Sequence, residues 1–399
     1  MPKTSWQVIH LSTGHEGGAG LAARRLNKAL NQSGVTSKFM ALAHHEFIPA
    51  EDEFEIHRTL LQRVISGLTF RLQNRLSKKV LFSLFSFNVL PTKLITSDHS
   101  PVNTILHFHN WFNLVSQSEI SKWSQRGYKV IVTMHDQRFM TGGCHYAFNC
   151  SGLYTNCSPC PELVPIIKKI PSLNLKRFDK QMQQTSTPLT FIAPSRWLLE
   201  EGMRSLALRN QEVVFIPNTL GINAPALKTT VPRSNQKDSK NLTLGIASMA
   251  PGSHIKGGDI AESLQRAITD NELSIKILYM TSYPQTREGS SSFWKDIDYL
   301  LVPSRAENSP NVIHEAKSLG IPIIATKVGG ITELLDSEFD IGIELENLNT
   351  ETILKIIERL KTRSQVGIQQ ERMQINFHHY VDRSVADHIS LYNEVMKRI

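Results

Sequence analysis

Cysteine is confined to one short span: the four cysteines lie between Cys144 and Cys160. That excludes a disulfide framework running through the chain. No apolar run is long enough to cross a bilayer. Trp6 to Leu11 is too short for the core of a signal peptide and leads straight into glycines. The expectation is a cytoplasmic protein. Asp and Glu are missing altogether from Ile56 to Ser97, and negative charge is in the minority overall, 36 acids against 44 Lys and Arg. The resulting net charge of +8 points to an anionic partner such as a nucleotide, a nucleic acid or a membrane surface. What is present is ordinary for a soluble globular protein: 399 residues, 40% hydrophobic and 20% charged, enough for two domains.

The stretch Glu307-Asn-Ser-Pro-Asn-Val-Ile-His-Glu315 organises the second half. Ser309 has the chemistry of an N-cap and Pro310 that of a first helical residue. A helix then runs through Val312, Ile313, Ala316 and Leu319 and stops at Gly320-Ile-Pro322. Tyr299 to Val302 before it and Pro322 to Val328 after it read as buried strands. One acid, Glu307, thus lies in a loop at the carboxyl end of a strand, where open parallel sheets bind ligands, and Glu315 lies in the helix. The helix start, with Ser309 and Asn311, offers free N–H groups to an anion such as a phosphate. The acids can accept hydrogen bonds from hydroxyls. An isolated pair at this spacing is common by chance, as solvated loop and helix charges. Here it has neighbours on both sides, Val302-Pro-Ser304 and Gly329-Gly-Ile-Thr-Glu333.

The run from Tyr299 to Leu335 resembles the donor-site signature of the retaining glycosyltransferases of family 4. Weaker likeness covers most of the chain, especially to members that assemble bacterial polysaccharides. The resemblance implies an α/β protein of the GT-B fold, two Rossmann-like doubly wound domains facing a cleft. It implies transfer of a sugar from a nucleotide-sugar donor to a glycan or lipid-linked acceptor. It also implies that no catalytic metal is needed, and no Asp-x-Asp motif occurs at the cleft positions. Glu307 would orient the donor sugar and Glu315 would hold the ribose.

In chain order, strand Gln7–Leu11 leads to Gly14-His-Glu-Gly-Gly-Ala-Gly20 and an amphipathic helix, Leu21 to Gln32. A strand, a glycine-rich turn and a helix let backbone N–H groups approach a phosphate or sugar, or make only a tight turn. By resemblance Gly17 and Gly18 face the cleft. The acid-free segment 56–97 interleaves arginines and lysines with large apolar residues. That pattern suits either a helix lying on an anionic membrane at the inner face or a helical subdomain packed on the sheet. Thr104 to His109 and Lys129 to Met134 read as strands, the second ending in His135-Asp136. By resemblance His135 contacts the transferred sugar. His107 reads as a core histidine satisfied by backbone, and His109 is open between the two roles. Cys144, Cys150, Cys157 and Cys160, in an insertion at 141–161, are enough for a structural zinc. Local disulfides or free thiols are the alternatives.

Leu189 to Ala193 and Val213 to Ile216 read as further strands. Residues 223–241, poor in large apolar side chains, read as a linker between domains 1–222 and 242–377. In the second domain, strand Leu242–Ala247 and a loop with Lys256 precede a helix, a place that suits a diphosphate. By resemblance Lys256 belongs to a phosphate clamp whose usual arginine is replaced by Pro251. The chain between strands Ile275–Met280 and Tyr299–Val302 is short for the family. Residues 350–360, 365–377 and 381–396 read as helices, the last, in segment 378–399, crossing back to the first domain. Other readings stay open: a nucleotide-sugar epimerase, a catalytically silent scaffold, or a zinc-containing nucleic-acid binder. The scattered basic residues argue against nucleic acid.

Overall fold

The computed structural model describes residues 4–43, 49–76, 82–86, 89–90, 92–96, 99–220, 242–248, 252–282, 287–361 and 383–398. The chain forms two compact units, Met1–Gly221 with Arg383–Ile399, and Ile222–Asp382. The expected linker 223–241 and the expected helix 365–377 lie outside the described residues.

Unit 1 is built from β1 (Gln7–Ser12), α1 (Gly17–Gln32), β2 (Thr36–Leu42), β3 (Glu53–Ile56), α2 (Leu60–Arg75) and α3 (Thr92–Thr96). It continues with β4 (Thr104–Asn110), α4 (Gln117–Gln125), β5 (Lys129–Thr133), α5 (Ile170–Met182), β6 (Thr190–Ala193), α6 (Arg196–Arg204) and β7 (Glu212–Phe215). Its seven strands are all parallel, in the order β3-β2-β1-β4-β5-β6-β7. A parallel sheet covered on both faces takes apolar side chains on both, which is why its strands are legible as continuous hydrophobic runs. Ile9, Leu11, Leu106, Phe108, Val130, Val132 and Phe191 fill one face. Val8, Ile105, Ile131 and Ile192 fill the other, under α1 and a last helix, α11, of residues 383–397. Tyr392 of α11 is fully buried there and meets Trp6 edge to face at 5.9 Å. Each such side chain contributes about 1.5–3 kcal/mol by leaving water.

Unit 2 holds β8 (Leu242–Ile246), α7 (Gly258–Asp270), β9 (Ile275–Tyr279), α8 (Arg287–Asp296), β10 (Tyr299–Val302), α9 (Asn311–Ser318), β11 (Ile323–Thr326), β12 (Ile341–Ile343) and α10 (Thr350–Lys361). Its sheet is also parallel, in the order β12-β11-β10-β8-β9. Both sheets therefore reverse their strand order once, between β1 and β4 and between β8 and β10. Ligands of open α/β sheets bind outside the carboxyl ends of strands at such a reversal.

Most expected strands are present within two residues of their predicted ends. Strands β2, β3 and β12 were not read from the sequence. The helix after β1 starts earlier than expected, so Gly17 and Gly18 stand in its first turn and not in the loop. Gly17 has φ +69°, a conformation glycine adopts without strain. Helix α9 is capped by Pro310 with no side-chain hydrogen bond, so Ser309 is not its N-cap. The Ser309 hydroxyl is taken instead by His314 Nε2, at 2.8 Å. Between β9 and β10 the described residues hold one α-helix, α8, and a single short 3-10 turn.

Candidate active site

In unit 2 the loops after β8 and β10 meet at the reversal. The β8 loop ends in Lys256 and Gly257, and Gly257 caps α7 with φ +74°. A Cβ there would come within 2.0 Å of the Pro303 carbonyl oxygen, so only glycine lets the two loops touch. Arg305 ties them: its backbone N–H donates to the Ile255 carbonyl at 2.7 Å. Its guanidinium donates to both Asp259 oxygens, at 2.6 and 2.8 Å, and to the His254 carbonyl. Lys256 Nζ then donates to the Glu307 carboxylate, which the Ser304 hydroxyl also approaches. Two residues singled out in separate motifs are thus in direct contact. Glu307 and Glu315 are both about nine-tenths buried, and Asn311 is the first residue of α9. Arg305 and Asp259 escaped the sequence reading; the adjacency of Arg305 to Val302-Pro-Ser304 was the available signal.

The triplet Asp296-Ile297-Asp298 ends just before β10. Asp298 accepts the Thr243 backbone N–H at 2.8 Å, which bonds the triplet to the start of β8, at the end of the sheet away from Lys256 and Glu307.

In unit 1 four histidines cluster at the central strands. His10 on β1 and His107 and His109 on β4 are fully buried, and His135 follows β5. His10 Nδ1 lies 2.9 Å from His109 Nε2, and His109 Nδ1 lies 3.3 Å from His135 Nε2. His107 is a core histidine, but its partners are side chains and not backbone: Tyr392 Oη and Thr133 Oγ1, both at 2.7 Å. His10, His107 and His109 have ring atoms within 4.8 Å of one another, close enough to hold a metal. Their nitrogens are already committed to each other, to His135, Tyr392 and Thr133, apart from His10 Nε2, which is buried without a partner among the described residues. The trio therefore reads as a hydrogen-bonded cluster. Burial keeps it uncharged: His10 is pushed down to about 3, His135 and His388 to about 4, and His107 and His109 well below the usual value. Beside it Asp136 is held below the usual carboxylate range: burial opposes ionisation, but His145 at 2.6 Å outweighs it.

The loop after β1 borders a cavity of about 420 Å³ lined by Thr13, Gly14, His15, Arg58, Arg63 and Phe70, among others. A Cβ on Gly17 or Gly18 would meet nothing within 4 Å, so both glycines face open space, and Gly20 has the Gly14 carbonyl 2.4 Å from its Cβ position. The four cysteines are free thiols and line a second cavity, of about 410 Å³. No three of them gather within 4.8 Å. Sulfurs around a bound zinc would stand about 3.8 Å apart.

The family model described as Glycosyl transferases group 1 matches residues 227–362, the span that carries Lys256, Glu307 and Glu315. Unit 2 thus matches the group 1 glycosyltransferases over most of its length. A protein named as a colanic acid biosynthesis glycosyl transferase, WcaC of Escherichia coli strain K12, is 25% identical over 351 residues, 80% of this chain and 82% of its own length. Among solved structures, sucrose-phosphate synthase of Thermosynechococcus elongatus has a TM-score of 0.62 at 12% identity, covering 98% of this chain and 99% of that one. Anabaena HepE in complex with UDP has a TM-score of 0.55 at 14% identity, covering 96% and 99%. The fold of the glycosyltransferase is GT-B.

The histidine cluster makes the first unit acid-sensitive. Each of His10, His107, His109, His135 and His388 has a folded value below its unfolded one. Between about pH 6.5 and about 4 the unfolded chain binds protons that the folded one refuses, so stability is full above that window and falls on acidification through it. Asp136 contributes only below it. The melting temperature of the unit 1 transition should fall steadily from about pH 7 to about 5. A flat calorimetric profile over that range would contradict the buried neutral cluster.

Proposed function

We propose that this glycosyltransferase moves a sugar from a nucleotide-sugar donor to a glycan or lipid-linked acceptor, with retention of configuration and without a catalytic metal, in the making of a cell-surface polysaccharide. The observation that carries the reading is the meeting of Lys256, Glu307 and the start of α9 at the strand reversal of unit 2. Lys256 and the first N–H groups of α9, near Ser309 and Asn311, would take the donor diphosphate. Glu315 would accept from the ribose hydroxyls and Glu307 from those of the sugar. His135 would touch the sugar, and Gly17 and Gly18 would leave room for phosphate or acceptor. The Asp296-Ile297-Asp298 triplet is bonded to the start of β8, away from Lys256 and Glu307, so a donor metal held by it is not part of this reading. Anabaena HepE was solved with UDP and with UDP-glucose, so UDP is the first nucleotide to try.

The test is thermal stabilisation by UDP, GDP, ADP and CMP. A ligand at one hundred times its Kd adds about 2.7 kcal/mol, a shift of a few degrees. One nucleotide should give it, and Glu315→Ala should abolish it. Product anomer analysis by NMR in the presence of EDTA then reads retention and metal independence. No shift with any nucleotide would put the silent scaffold in first place. Pro251 and the short connection between β9 and β10 favour that second reading.

The acceptor side carries a membrane-facing reading. On α2, Leu60, Leu61, Val64, Leu68, Phe70 and Leu72 are all exposed, Leu60 at 79%. Arg63, Arg71 and Arg75 share the helix, and no acid does. A helix with exposed leucines and arginines lies on anionic lipid, which would place the enzyme peripherally at the inner membrane face. The protein should float with anionic vesicles but not neutral ones, and a double change, Leu61→Asp with Leu68→Asp, should release it. Equal recovery of wild type and variant would remove the membrane from the account.

For the cysteine cavity we propose a structural zinc. Arg138 is buried, donates to the Ser83 and Thr141 carbonyls, and has no carboxylate within 4 Å among the described residues. Cys144, Asp136 and Cys157 lie within its electrostatic reach. A zinc thiolate centre would supply the negative charge that this guanidinium lacks. Metal analysis should find about one zinc per chain, lost in Cys157→Ser with Cys160→Ser. Full activity at far less than one zinc would dismiss it.

A further inference from the structure

We propose that His135 meets its ligand as a hydrogen-bond donor, through a proton on Nδ1, because the buried chain His10–His109–His135 fixes which of its nitrogens carries that proton. The proposal deepens the transfer reading above, and rests on it for the identity of the ligand.

A neutral imidazole has one N–H and one lone pair. The contact between His10 Nδ1 and His109 Nε2 needs one of each, and so does the contact between His109 Nδ1 and His135 Nε2. Three neutral rings in series therefore have only two arrangements. In the first, His10 Nδ1–H donates to His109, His109 Nδ1–H donates to His135 Nε2, and His135 keeps its proton on Nδ1. In the second every bond is reversed, and His10 carries its proton on Nε2. The two differ in what they leave at the far end. His10 Nε2 is buried and has no partner among the described residues. The second arrangement strands an N–H there without an acceptor. The first strands only a lone pair. A buried N–H with no acceptor is the rarer and more costly defect. The first arrangement is therefore the one that holds.

The surroundings keep the chain neutral and closed. His107 packs on His10 and His109 with ring centroids at 5.0 and 4.3 Å, but both its nitrogens are taken by Tyr392 and Thr133. His388 on α11 lies 6.2 Å from His107, and its Nδ1 is bonded to the Ser384 carbonyl. Asp136 is engaged with His145 and the Arg138 N–H. None of these can donate to His10 Nε2 or reverse the chain. His135 itself is half-buried, and its Nδ1 has no partner among the described residues. An N–H at that position suits an oxygen lone pair, on a sugar hydroxyl or a phosphate. It cannot remove a proton from an acceptor hydroxyl. His109 and His10 are positioning residues: they touch no substrate and act by orienting the proton of His135.

The experiment reads ring nitrogen shifts of full-length protein labelled with ¹⁵N-histidine, at about pH 7, without substrate. His135, His109 and His10 should all appear with the proton on Nδ1. In His109→Leu the donor to His135 Nε2 is gone, and His135 should move toward the Nε2–H form that free histidine prefers. His109→Gln, whose amide can still donate to Nε2, should keep the wild-type form. With an acceptor supplied, His109→Leu should lose kcat more than it raises KM, and His109→Gln should recover it. An Nε2–H form of His135 in the wild type would overturn the proposal. So would an unchanged His135 in His109→Leu. If His109→Leu does not fold, the wild-type spectrum alone decides. Because the tautomer is read without ligand, a protein that bound no nucleotide sugar could still confirm the chain, so the two readings fail separately.

Discussion

The constraint on which this glycosyltransferase depends is the single reversal of strand order in each parallel sheet, at β1/β4 and at β8/β10. Parallel strands can be joined only through crossovers, and those crossovers are right-handed. Where the order reverses, the loops on either side must run in opposite directions, and the carboxyl ends of two neighbouring strands are left uncovered. Three of the loops singled out from the sequence lie at such places. The glycine-rich turn leaves β1, Lys256 precedes the helix after β8, and Glu307 leaves β10. The position of the chemistry follows from topology before any side chain is considered.

The same sheets explain why the histidines stand out. Central strands of a parallel sheet are buried on both faces and accept almost only apolar side chains. His10, His107 and His109 break that rule on the face where α1 and α11 pack. A buried polar atom without a partner costs about 1–3 kcal/mol. Five of the six nitrogens in the trio avoid that cost through one another, His135, Thr133 and Tyr392. Tyr392 comes from α11, so the helix that closes this face also completes the network, and Trp6 Nε1 bonding to Asn393 adds a second tether. The cluster is held by residues from both ends of the sequence.

That distance marks the limit of what the sequence could tell. Core strands such as Thr104–Asn110 and Tyr299–Val302 were legible because burial on both faces writes an unbroken apolar run. Strands β2 and β12 escaped, the first because Thr36, Ser37 and Lys38 interrupt its run, the second because it is only three residues long. Ser309 was misplaced because cap propensity ignores competition, and His314 one turn on takes the hydroxyl. Glu307 and Lys256 could each be singled out locally, but their contact spans 51 residues and their pairing is written in no local pattern. The bond between His107 and Tyr392 spans 285. Motifs mark residues; only the fold joins them.

The contact between Lys256 and Glu307 also bears on what kind of site this is. A pair with the lysine about a third exposed is a weak source of stability, since solvent screens it and both side chains must be held. Its worth lies in the charge it controls. Without the Glu307 carboxylate, Lys256 would lose the only negative partner of its charge among the described residues. Paired, it occupies Oε1 of Glu307, the oxygen that the Ser304 hydroxyl also approaches. A diphosphate carries more negative charge than one carboxylate and offers several oxygens, so it can draw the lysine away. On the proposed reading, that oxygen of Glu307 would then be released to accept from the hydroxyls of a sugar diphosphate. In that reading the pair would couple the phosphate and sugar halves of one ligand, which an anion alone or a sugar alone would not satisfy.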